Sequence, residues 1–146
     1  MFESRVWAVS IHDMHPSGFL SFDLGSIIEC LEDRNDFLWI PVAFECEGEE
    51  VPSLVPQDTT QFLAALGRSD QTIDATVIGV ERHSLSAIDL GAATDLLQFP
   101  TSAAQLAILA VDSSYFDVLT KNPCHIEQVA RRFTDVRIED PANYFG

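Results

Sequence analysis

The chain has 146 residues, 47% of them apolar, with 23 Asp and Glu against 8 Lys and Arg, a formal charge of −15. This length suits one domain with a sizeable core, and the apolar content excludes disorder, which combines high charge with low hydrophobicity. The acid excess argues against nucleic acid and anionic membranes as direct ligands, since both require a basic surface, and no apolar run is long enough to span a bilayer.

Along the chain, Val6–His12 alternates apolar and small or polar residues and reads as a half-buried strand. His15-Pro16-Ser17-Gly18 breaks it, and Phe19–Leu24 has no clear period. Ser26–Leu31 fits a short helix with Ile27, Ile28 and Leu31 on one side. Phe37–Cys46 is nearly continuous apolar sequence and reads as a strand buried on both faces. Pro41 within it marks a bulge or an outward-facing edge position. Asp58–Leu66 carries a capping box, Asp58 with Gln61, and Gly67 stands where a C-terminal cap is wanted. Thr72–Glu81 is β-branched and strand-like, with Gly79 a candidate bulge. Asp89–Phe99 reads as a helix stopped by Pro100.

The last third has the clearest pattern. Leu106–Val111 and Tyr115–Thr120 are strands joined by the tight turn Asp112-Ser113-Ser114, which lacks the preferred glycine. Asn122 caps a helix that begins at Pro123, the position where proline is best tolerated. Ile126, Val129, Ala130 and Phe133 form its apolar stripe. Glu127 precedes Arg131 by four residues, and Arg131 and Arg132 sit in the last turn, where the helix dipole favours cations. Val136–Ile138 adds a short strand. The expected fold is a single α+β domain over residues 1–138, a mostly antiparallel sheet of about five strands with about three helices packed on it. Residues 139–146 form an acidic and aromatic tail.

Four constellations could carry chemistry. His12-Asp13-Met14-His15 offers metal-ligand types, but a strand sends His12 and His15 to opposite faces, Pro16 disfavours a helix, and no Cys/His cluster completes a site. Ser113 or Ser114 with His83 or His125 offers hydrolase types, yet there is no GxSxG elbow, and turn chemistry explains Asp-Ser-Ser. Cys124 stands in a first helical turn, a position that can activate a thiol, but adjacent helical residues point about 100° apart, which separates it from His125. Paired carboxylates are expected by chance among so many acids. No glycine-rich phosphate loop is present. Cys30, Cys46 and Cys124 lack CxxC spacing and read as reduced thiols. Met1–Trp7 has neither the basic nor the apolar region of a signal peptide, so a cytoplasmic location is expected. No catalytic residue, metal or cofactor is assigned.

The charge is uneven: residues 1–50 have 11 acids and 2 bases, residues 51–100 have 6 and 2, and residues 101–146 have 6 and 4. Its densest point is Glu45, Glu47, Glu49 and Glu50, directly after the aromatic strand. In an extended chain Glu45, Glu47 and Glu49 would project on one side. These four glutamates, with Tyr144 and Phe145 of the tail, are the candidate partner-binding residues, suited to a basic protein. In size and charge the chain is similar to bacterial immunity proteins and type III secretion chaperones, although it carries no motif of either. The strand-rich pattern favours an immunity-type inhibitor that covers a basic cleft. The alternatives are a small hydrolase-like enzyme whose site is assembled only in the fold, a secretion chaperone, and a homodimeric subunit joined through an edge strand or helix face.

Overall fold

Alternation within the strands divides the apolar residues between two faces of one sheet, and each face is covered. The structure is a computed structural model and describes residues 5–18, 20–48, 54–67, 69–83 and 90–145. The strands are β1 (Trp7–Ile11), β2 (Phe37–Gly48), β3 (Gln57–Asp58), β4 (Ser69–Glu81), β5 (Leu106–Val111), β6 (Tyr115–Thr120) and β7 (Val136–Glu139). Their order is β3-β2-β4-β5-β6-β1-β7, and every pairing is antiparallel. The helices are α1 (Leu24–Cys30), α2 (Thr59–Gly67), α3 (Leu90–Ala93), α4 (Pro123–Arg132) and α5 (Ala142–Phe145). The α+β class and antiparallel sheet are as expected. Among the described residues the sheet has seven strands where about five were expected: β7 is the short strand expected at Val136–Ile138, and β3, with only two residues, is too short for a period-2 signal. Three helices have seven residues or more, and α3 and α5 are single turns.

On one face Val9, Ile11, Phe37, Trp39, Val77, Leu106, Ile108, Phe116 and Val118 pack beneath α1, α2 and α4, which contribute Ile27, Ile28, Phe62, Leu66 and Val129. On the other, Ala8, Ile40, Ile78, Val80, Ala107 and Leu119 pack against Ala93, Phe99 and Ala104, with Tyr144 and Phe145 at the margin. Each large side chain fully removed from water contributes about 1.5–3 kcal/mol, so both layers hold the sheet.

Local chemistry explains the boundaries. The capping box forms: Gln61 N donates to Asp58 Oδ1 at 2.7 Å, and Asp58 N donates to Gln61 Oε1 at 3.0 Å. Cys124 N donates to Asn122 Oδ1 at 3.0 Å, and Pro123 opens α4. Pro41 stands at a bulge, since Pro41 faces Val77 while Ala43 faces Thr76 and leaves Val42 extra. The β5–β6 turn places Asp112 at φ 48° and Ser113 at φ 55°. Both are left-handed, the geometry of a type I′ turn, without glycine to relieve it. The adjoining strand holds the turn in place: Asp112 N donates to Asp74 Oδ1 at 2.8 Å and Ser113 N to Ile73 O at 2.9 Å.

Four expectations are corrected. Gly79 is not a bulge; it pairs in register with Trp39 and Leu106. A Cβ there would stand 3.1 Å from Trp39 Cζ3 and 3.2 Å from Leu106 Cβ, so glycine serves close approach. The helix expected from Asp89 to Phe99 is broken, and Asp89 itself lies outside the described residues. After α3, Thr94 Oγ1 donates back to Leu90 O, and Asp95 accepts from Leu97 N to start a separate 3₁₀ turn, Leu96–Gln98. Short polar side chains compete with the helical ladder in this way. Gly67 ends α2 without a left-handed φ. In α4, Ala130 is exposed, and His125 takes a place in the buried stripe beside Val129 and Phe133.

Candidate functional site

The orientation fixed by the Asn122 cap drives His125 into the protein, where it is 1% exposed. Its Nδ1 lies 2.6 Å from Thr120 Oγ1 and its Nε2 lies 2.9 Å from both Asp33 carboxylate oxygens. The edge of Phe37 packs on the ring. This chain joins β6, α4 and the segment between α1 and β2. Its hydroxyl–imidazole–carboxylate order invites comparison with a catalytic triad. The Thr120 oxygen, however, is fully buried, accepts from Asn122 N at 3.1 Å and lies 3.3 Å from Asn122 O. Thr120 and His125 therefore tie the fold together, and Asp33 is the member of the chain that reaches solvent.

Above Asp33 opens a cleft of about 390 Å³ lined by Asp33, Asp36, Phe37, Glu81, Arg82 and His83. Asp33 precedes and Asp36 ends the 3₁₀ turn Arg34–Asp36, while Glu81 closes β4 opposite Phe37 of β2. His83 Nε2 stands 3.0 Å from Glu81 Oε2, and Arg82 donates to Asn35 O at 3.4 Å. The cleft thus holds three carboxylates, with the Arg82 guanidinium and the His83 ring beside them.

A second polar cluster lies on the other face of the sheet. Ser10 Oγ donates to Glu139 Oε1 at 2.8 Å, His12 Nε2 lies 2.8 Å from Ser10 Oγ, and the His12 ring stacks on Tyr115. Tyr144 Oη donates to Asp117 Oδ1 at 2.9 Å. Burial pushes the Asp117 carboxyl above the ordinary range, the Tyr144 hydrogen bond opposes that, and Glu139 adds to it. Burial and the Asp117 bond push the Tyr144 hydroxyl well up.

The expected site residues are dispersed. Glu45 is exposed on β2, opposite Asp74. Glu47 pairs with Gln71, and register shifts on both sides of the Cys46–Glu47 pair interrupt the regular alternation expected of the run. Glu49 and Glu50 lie outside the described residues. Tyr144 and Phe145 belong to α5 and are half-buried: Tyr144 is held by Asp117, and Phe145 stacks parallel on Phe99 at 6.0 Å. Asp117 stands on β6, separated from β2 by β4 and β5, so the glutamate run and the terminal aromatics lie in separate places.

The motif residues also separate. Asp13 accepts from Thr134 N, Thr134 Oγ1 and Asp135 N. Burial works to raise its pKa, but these bonds outweigh it and hold the carboxyl below the usual range. His15 Nδ1 turns to Ser17. Among the described residues no three His, Cys, Asp or Glu side chains are placed to hold a metal. Ser113 and Ser114 serve the β5–β6 turn. Cys124 is exposed while His125 is buried, and no disulfide joins any of Cys30, Cys46 and Cys124. Burial pushes the Cys30 thiol up to about 11. His125 could have been placed from sequence by its i, i+4, i+8 relation to Val129 and Phe133. Nothing local pointed to Asp33 as its partner.

The acid excess is largely uncompensated. Among the described Lys and Arg residues, ion pairs with carboxylates are made by Arg131, with Glu127 and Glu32, and Arg137, with Asp135. Arg5 lies over Trp7, Arg132 over Phe133, and Arg34, Arg82 and Lys121 donate to backbone carbonyls. Comparisons with protein families, with curated proteins and with solved structures find no match to this chain. No helix among the described residues is long and apolar enough to cross a membrane.

Proposed function

We propose that this is an acidic binding protein of the inhibitor or immunity type, which covers a basic surface of a partner protein. The observation that carries the reading is the charge left over. Among the described residues few acids are paired with the chain's own Lys or Arg, and Asp33, Asp36 and Glu81 gather on one concave wall. A Lys or Arg side chain of the partner would enter that cleft, while Glu45, exposed towards the far end of β2, adds to the net charge that steers the encounter. Charge of this kind acts mainly on encounter rate and partner choice, with close packing supplying the residence time.

The test uses the chain as bait for soluble protein from its native cell, at low salt and again at about 0.5 M salt, where the Debye length falls to several ångströms. Expected is a basic partner captured at low salt and released at high salt. Reversal of Asp36 and Glu81 to Lys would slow association with that partner about tenfold. Capture that ignores both salt and the double reversal would refute the proposal.

A further inference from the structure

Among the described residues, strand β7 is an outer edge of the sheet and pairs only with β1. Its Ile138 is 87% exposed, the most exposed large apolar side chain among the described residues. Natural edges are usually blunted by charge, proline or a bulge, so a bare isoleucine there calls for an explanation. Backbone alternation supplies one. His12 N donates to Asp135 O at 2.8 Å, in the same register that pairs Ile11 with Val136 and Val9 with Ile138. In an antiparallel ladder, residues alternate between pointing their N–H and C=O groups toward one neighbour and toward the other. Asp135, Arg137 and Glu139 therefore face β1, and Val136 and Ile138 present their backbone groups outward.

We infer that β7 pairs antiparallel with β7 of a second copy of this chain, about a two-fold axis at Ile138. In that register Ile138 N–H and C=O exchange two hydrogen bonds with Ile138 of the other copy. Arg137 of each copy stands opposite Glu139 of the other as a non-hydrogen-bonded pair, the class with the closer side chains. The strand is thus complementary to itself in both backbone and charge, as an isologous interface requires. A two-fold at Arg137 would oppose two arginines and offer inward-facing backbone groups. The Ile138 side chains meet on the α4 face, beside a pocket of about 230 Å³ whose walls include Trp7, Val9 and Ile126. The join also falls in the least acidic third of the chain, where 6 acids face 4 bases.

The test is sedimentation equilibrium of the full chain at about 0.15 M salt, where net repulsion is screened beyond about 8 Å. A four-residue edge gives a weak dimer, with a dissociation constant of about 10–100 µM. Arg137→Glu, which puts like charges opposite each other twice, weakens it about tenfold, and adding Glu139→Arg restores it to within about threefold. Ile138→Pro abolishes the dimer but leaves the circular dichroism and melting temperature in place, since the lost N–H faces outward. If Arg137→Glu disturbs the fold by freeing Asp135, Ile138→Lys at the exposed position replaces it. A chain that stays monomeric up to about 1 mM overturns the inference, as does a dimer indifferent to the Ile138 variants and to charge reversal.

Discussion

Substituting Gly79 by Ala tests the packing of the sheet most directly. The added methyl would meet Trp39 Cζ3 at 3.1 Å and Leu106 Cβ at 3.2 Å. Neither neighbour can withdraw easily. Trp39 is fully buried and its Nε1 donates to Thr59 Oγ1 at 2.9 Å, while Thr59 in turn donates to Arg34 O. Leu106 Cβ is fixed by the adjacent strand. Overpacking of this kind costs about 1–3 kcal/mol, offset by about 0.4–1 kcal/mol from the stiffer unfolded chain. The expected net loss is about 1–2 kcal/mol, or about 3–6 °C in a protein of this size. Urea unfolding followed by tryptophan fluorescence and by circular dichroism would measure it. In a Trp39→Phe background the offending ring atoms are gone and the Leu106 Cβ contact remains, so the same methyl should cost less than in the natural chain, a coupling of about 1 kcal/mol. A neutral Gly79→Ala in the natural chain, or a loss of the same size in the Trp39→Phe background, would refute the close-approach argument.

Asp112→Gly should stabilise by about 0.5–1 kcal/mol, because relief of a left-handed φ outweighs the entropy that glycine adds to the unfolded chain. The N–H bond to Asp74 is kept, and a lower melting temperature would contradict this account of the turn. Lys121 gives a pH signature. Burial lowers its ammonium to about 8, whereas an unfolded lysine titrates near 10.4. Between these values the unfolded state binds more protons, so stability contributed at this position rises with pH across that window. The gain of natural chain over Lys121→Met between pH 8 and 10 should be about 1 kcal/mol, well below the full shift because solvent reaches the site. Parallel stability curves for the two proteins would show the site to be more hydrated than its contacts with Ser102 and Phe99 suggest.

Where one short stretch of chain decides the outcome, sequence and structure agree. The capping box at Asp58 and Gln61, the Asn122-Pro123 start of α4 and the bounds of β5 and β6 are all local matters, set by side chains that bond within four residues or by simple alternation. Disagreement begins where the deciding partner is distant. Gly79 looked like a break because the indole ring that needs its space is forty residues earlier. The Asp89–Phe99 stretch read as one helix because periodicity does not register a Thr or Asp side chain bonding its own backbone. The acidic cleft needed β2 and β4 paired so that Glu81 faces Phe37, and the His125–Asp33 contact spans 92 residues. The terminal aromatics had no visible destination until Phe99 and Asp117 were placed beneath them.

The bulge at Val42 makes residue number, rather than residue type, decide which way β2 presents its contents. Phe37 and Trp39 turn to the helical layer at odd positions, and after the extra residue Phe44 reaches that same layer at an even one. The strand thus works as a phase shifter. Were Val42 paired regularly instead of bulged out, Phe44 would turn to the opposite layer and Glu45 would come under the helices, exchanging a ring for a charge in the core. The acidic surface of β2 is in that sense a matter of counting: it depends on a single spare residue next to a proline.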